Sequence, residues 1–108
     1  MSKASELAHI CKVLSVETRI RILELVIDRA LCVGAIAARL DVTQGAVSQH
    51  LRILRDADLV TAEKRGYFVH YRLNKKKVQR CKDMINKLAV NEKNQFRRVK
   101  LIKHKSKG

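Results

Sequence analysis

The sequence predicts a mainly α-helical domain carrying one β-hairpin, in the order of four helices, two strands and a final helix. Three observations predict it. Apolar residues recur at helical spacing in four segments up to Leu54, the spacing changes to period two around Lys64-Arg65-Gly66, and helical spacing returns from Val78 to Leu88. The 108 residues match the length of a single domain, and 46% of them are hydrophobic, enough for a core.

Each element has its own signal. Leu7, Ile10, Cys11 and Leu14 stand at i, i+3, i+4 and i+7, one stripe of an amphipathic helix, with Ser2 or Ser5 as its cap. After a break near Ser15 and Val16, Ile20, Leu23 and Ile27 repeat with Ile22 and Val26 beside them, and Glu17, Arg21, Glu24 and Asp28 fill the gaps. This second helix reads as more buried than the first. Val33, Ile36, Ala37 and Leu40 form a third, short apolar face, which Asp41-Val42-Thr43 interrupts before Val47, Leu51 and Leu54 resume at i, i+4 and i+7. Thr43 suits the N-cap of the fourth helix, because its hydroxyl can accept an amide that the helix leaves unpaired. Ala46 stands where a capping box would need Glu or Gln. Beyond Asp58, Val69, Tyr71 and Leu73 alternate with Phe68, His70 and Arg72, and Leu59 to Glu63 precede the turn residue Gly66, so a hairpin is expected. Val78, Cys81, Ile85 and Leu88 make the last helix.

Two short helices joined by a tight turn form a helix-turn-helix, whose second helix can enter a major groove. With Val47, Leu51 and Leu54 turned inward, Gln44, Gly45, Ser48, Gln49, Arg52 and Arg55 face outward. Gln and Arg form bidentate hydrogen bonds with base edges, Ser reaches phosphates or bases, and Gly45 and Ala46 allow close approach. The hairpin, with Lys64 and Arg65 at its tip, is placed to lie along the adjacent backbone or minor groove as a wing.

Charge points to the same partner. The chain holds 24 Lys and Arg against 10 Asp and Glu, a formal charge of +14. Up to Leu73 there are 11 basic and 8 acidic residues, and from Asn74 onward 13 and 2. A polyanion, double-stranded DNA, is the expected partner. Residues 1–90 read as the winged helix-turn-helix domain, and residues 91–108 as a basic tail, frayed or disordered. Lys75, Lys76, Lys77, Arg80 and Lys82, with the tail cations, read either as a solvated face or as a second phosphate-binding region. No apolar run approaches the roughly 18 residues of a membrane span, and a cytoplasmic location is expected. Three separated cysteines make neither a disulfide framework nor a paired zinc motif. No catalytic triad, phosphate loop or carboxylate pair argues for an enzyme, and 4% aromatic residues argue against an RNA-stacking sheet.

Four pieces of the chain then carry a resemblance. They are Leu14-Ser15-Val16-Glu17-Thr18-Arg19-Ile20-Arg21-Ile22-Leu23, Leu31-Cys32-Val33, Gln44-Gly45-Ala46-Val47-Ser48-Gln49-His50-Leu51 and Gly66-Tyr67-Phe68-Val69-His70-Tyr71-Arg72-Leu73. In order and spacing this stretch resembles the ArsR/SmtB winged-helix repressors. The resemblance implies a homodimer that binds a palindromic operator, represses transcription and leaves the DNA when an inducer, often a metal ion, binds. It places the recognition helix on Gln44 to Leu54 and selects Gln44, Ser48, Gln49, His50 and Arg52 as DNA contacts, with Lys64 and Arg65 from the wing. His50 has a second reading, packing between helix and wing. Asp41 stands where the family usually has Gly, and Asp tolerates the left-handed conformation that this turn requires.

The resemblance also assigns the dimer seam to the first and last helices, hence to Leu7, Ile10, Cys11, Leu14, Val78, Cys81, Ile85 and Leu88. The alternative is that both stripes close onto one protomer's core. The sensor is where the chain departs from the family. Cys32-Val33-Gly34 replaces the Cys-Val-Cys of a common metalloid site, and Lys75-Lys76-Lys77 stands where another site needs Asp and His. No cofactor is certain. Cys11 and Cys81 read as buried small hydrophobes at the seam, whereas Cys32 lies near a helix N-terminus whose amide dipoles favour a thiolate. A thiophilic metal or metalloid held by Cys32 with Cys11 or Cys81 across the dimer, a redox switch at Cys32, and an inducer that uses no cysteine remain open. A rival function is an architectural or nucleoid-coating winged-helix protein without an inducer.

Overall fold

Residues 2–89 are described in the computed structural model, and the basic tail expected at 91–108 lies outside them. Ser2, in extended conformation, accepts the Ser5 amide at 3.1 Å and starts α1 (Lys3–Val13). α2 (Glu17–Leu25) ends two residues short of Ile27. β1 (Leu31–Cys32) leads directly into α3 (Val33–Leu40). Asp41 closes α3 at φ 55° and ψ 47°, and the Asp41 and Val42 amides both return to the Ala37 carbonyl. The left-handed turn expected at Asp41 is therefore formed without glycine. Thr43 caps α4 (Gln44–Asp56), its hydroxyl accepting the Ala46 amide at 3.1 Å.

β2 (Val60–Arg65) and β3 (Phe68–Leu73) pair antiparallel from Val60↔Leu73 to Arg65↔Phe68. Gly66 (φ 61°) and Tyr67 turn between them, and a positive φ at the first central residue but not the second is the pattern of a type II′ turn, which glycine fills at no steric cost. α5 (Lys75–Leu88) follows, capped by the Asn74 side chain on the Lys77 amide. The expected element order is present with one addition. The two residues of β1 pair with β3, Leu31↔Tyr71 and Cys32↔His70, so the sheet has three strands in the order β1-β3-β2. A two-residue strand has no periodicity to read.

One core joins the elements. Ile10 and Val13 of α1, Ile22 of α2, Val26, Leu31, Ile36, Ala37, Val47, Leu51, Leu54, Leu59, Val60 and, from α5, Cys81 and Met84 are buried together. Each fully buried aliphatic side chain contributes about 1.5–3 kcal/mol relative to exposure. Ile20 and Ile27, expected inside, are instead 44% and 40% exposed, because α2 turns its Ile22 side to the core. Among the described residues no helix is long and apolar enough to cross a membrane.

Candidate nucleic-acid interface

α4 is anchored from beneath and bare above. Val47, Leu51 and Leu54 are at most 1% exposed, whereas Gln44, Gly45, Ser48, Gln49, Arg52 and Arg55 are exposed. Thr43 fixes the start of the helix and the core stripe fixes its roll, so amide, hydroxyl and guanidinium groups project together, with the exposed Ile53 at their edge beside Gln49. Such a set offers hydrogen bonds to base edges and phosphates. A polar recess of about 330 Å³ lined by Ser48, Arg52, Arg55, Asp56 and Tyr71 joins this face to β3 of the wing.

Lys64 and Arg65 are exposed on β2, next to the turn. Arg65 pairs with Glu63, an exposed contact that solvent weakens and a phosphate can displace. The apex itself is Gly66-Tyr67, and Tyr67 and Phe68 are 98% and 65% exposed. The sequence reading missed these aromatics at the tip, although their place after Gly66 was the available signal.

His50 sits apart from the outward set. It is half-buried, and its Nδ1 accepts the Arg19 Nε–H at 3.2 Å. This hydrogen bond ties His50 to α2. Arg19, 31 residues away in the chain, was not legible as its partner. Burial, then the Arg19 charge, holds the His50 imidazole below its ordinary value.

The residues expected at a dimer seam divide in three. Ile10 and Cys81 belong to the protomer's own core, Leu7 and Leu14 are half-buried, and Cys11, Val78, Ile85 and Leu88 are exposed. Cys11 is therefore not covered within one protomer, because the α1 stripe is wider than the contact with α5. Leu14, Ile20, Leu23, Ile27, Val78 and Cys81 line an apolar groove of about 220 Å³ on this side. Of the α5 cations, Lys77 and Arg80 both bind Glu6 of α1 and so are tied into the fold, while Lys75, Lys76 and Lys82 are exposed.

The three thiols lie on different elements. Cys32 is the half-buried N-cap of α3 facing His70 across the sheet register, and burial pushes the Cys81 thiol up. Among the described residues no group of three His, Cys, Asp or Glu is arranged to hold a metal ion. The three thiols therefore do not form such a group within one protomer.

Residues 17–62, from α2 through the start of the wing, match the family model described as bacterial regulatory protein, arsR family. A transcriptional activator of Vibrio cholerae, HlyU, is 35% identical over 77 residues, 71% of each chain. The chain belongs to the ArsR family. Relatives within the ArsR family are named as transcriptional repressors as well as activators, and none of these names describes an enzyme. An ArsR-like regulator from Rhodococcus sp. RHA1 superposes with a TM-score of 0.78 at 28% identity, covering 94% of this chain and 92% of that one. A winged helix-turn-helix DNA-binding domain from Mycobacterium bovis, described as homodimeric and as that of a possible ArsR-family regulator, has a TM-score of 0.66 at 27% identity and 80% coverage of both chains. As an ArsR-family protein with this fold, the chain is a winged helix-turn-helix DNA-binding transcriptional regulator.

Proposed function

We propose that the protein is a homodimeric repressor in which two copies of α4 enter successive major grooves of an inverted-repeat operator, and that an inducer releases it from DNA. The observation that carries this reading is the α4 face: Gln44, Ser48, Gln49 and Arg52 uncovered over a stripe that is almost completely buried. Lys64 and Arg65 extend the contact to the flanking backbone or minor groove. A second copy is the natural cover for the exposed side chains of Val78, Ile85 and Leu88 and for the apolar groove beside them. Two-fold symmetry then sets the recognition helices about 34–36 Å apart, one turn of DNA. A cytoplasmic location accompanies this role, since free thiols persist in reducing compartments. Cys32, alone or with a cysteine of the other protomer, is the residue to test as the sensor.

Selection from random duplex DNA with the reduced protein tests the proposal, repeated with arsenite, cadmium, zinc and a mild oxidant. The expected product is an inverted repeat with half-sites about 10 base pairs apart, bound at least about 10³-fold better than random DNA. Binding without sequence preference would instead mark a nucleoid-coating protein. Loss of the repeat with one additive, and retention of binding by Cys32→Ser under it, would identify both signal and sensor.

A further inference from the structure

Arg19 joins three helices. From the first turn of α2 its Nη1–H reaches the carbonyl of Val13, the last residue of α1, at 3.1 Å, and its Nε–H reaches Nδ1 of His50 on α4 at 3.2 Å. Arginine is a donor in every protonation state found in proteins, so the nitrogen that meets it must be an acceptor and carries no proton. In a neutral imidazole the proton then sits on Nε2. The ring stays neutral at pH 7, since burial and the Arg19 charge both act against protonation. Among the described residues no buried side-chain nitrogen lacks a partner, and the Arg19 contact is on the other ring nitrogen, so Nε2 is not sealed from solvent. Helical geometry puts His50 about 140° around α4 from Arg55 and about 160° from Ser48, on the flank that meets α2 and beyond the outward set.

We propose that Arg19 is a positioning residue for DNA recognition: it holds His50 in the Nε2–H form, whose free N–H donates to a phosphate oxygen of the DNA backbone on the α2 side of α4. The inference rests on the DNA-binding reading above and specifies one contact within it. A phosphate fits better than a base because His50 is half-buried and tethered back toward α2. The contact is a hydrogen bond from a neutral donor, so it adds affinity without adding to the salt dependence that Lys and Arg contacts produce.

The test separates the two readings. Long-range proton–nitrogen correlation spectra of the free protein at pH 7 report the His50 tautomer without DNA; the Nε2–H form is expected, and a mixture of forms in Arg19→Met. Binding is then measured by anisotropy on a fluorescein-labelled mixed-sequence duplex, with thermal melts to verify folding. A Gln amide reaches where Nε2 lies and an Asn amide where Nδ1 lies. His50→Gln should therefore bind within about threefold of wild type, His50→Asn about tenfold or more weakly, both with the wild-type salt slope, while Arg52→Ala lowers that slope by about one contact. An Nδ1–H or protonated ring, or equal binding by His50→Asn and His50→Gln, overturns the role of Arg19 while leaving DNA binding intact. Failure of the wild-type protein to bind the duplex overturns the DNA reading itself, and this contact with it.

Discussion

Glu6 of α1 and Arg80 of α5 meet in a bidentate pair, Nε to Oε1 and Nη2 to Oε2, each at 2.8 Å. Lys77 adds a third bond to Oε1 at 2.9 Å, and the Glu6 side chain is only 17% exposed. The hydrogen bonds from Arg80 and Lys77 hold the Glu6 carboxyl down at about 2, against 4.5 for the unfolded group.

The sign of the pH effect follows from this depression. A carboxyl whose value is lowered by folding stabilises the native state above its unfolded value, and that contribution disappears as pH falls through the folded value. Glu6→Gln should lower the melting temperature by a few degrees at pH 7. The gap between variant and wild type should narrow between pH 4.5 and about 2. Calorimetry across this range checks both.

On α4, core and surface should separate cleanly. Leu51→Ala empties a site 1% exposed and should cost about 2–5 kcal/mol in denaturant unfolding. Gln49→Ala, on the bare face, should leave unfolding within about 0.5 kcal/mol of wild type and weaken binding to the selected duplex by about 1–3 kcal/mol.

Asp41 sits at φ 55° with no glycine freedom. Asp41→Gly should stabilise the protein by up to about 1 kcal/mol, reduced by the greater freedom that glycine has when unfolded. Asp41→Val should destabilise it by about 1–2 kcal/mol, since a β-branched residue resists this conformation. Urea midpoints distinguish the two directions.

Ile85 is 51% exposed on α5. In the proposed dimer it is covered, and Ile85→Asp should shift the protein to monomer in sedimentation equilibrium while leaving the helical circular dichroism signal intact. A monomeric wild type would remove the seam from the proposal.

Much of the fold was legible because local chemistry and global packing agree in this chain. The stripe Val47-Leu51-Leu54, the Thr43 cap and the Gly66 turn each announce themselves within a few residues, and each stands where the pattern puts it. The outward face of α4 was legible for the same reason, since the residues that do not pack are the ones left to bind. Ile20 and Ile27 misled because helical spacing states which residues share a face but not whether another surface covers it.

The sequence by itself determined the order of elements, the excess of positive charge and the polar set on the recognition helix, because these depend on periods of two and 3.6 residues and on side-chain type. Only the tertiary structure decided which groups from distant parts of the chain meet. Arg19 finds His50, Glu6 finds Arg80 and Lys77, and Leu31-Cys32 becomes a strand because β3 supplies its partner. Contacts of this kind depend on how helices and sheet pack in three dimensions, and no local period in the chain encodes them.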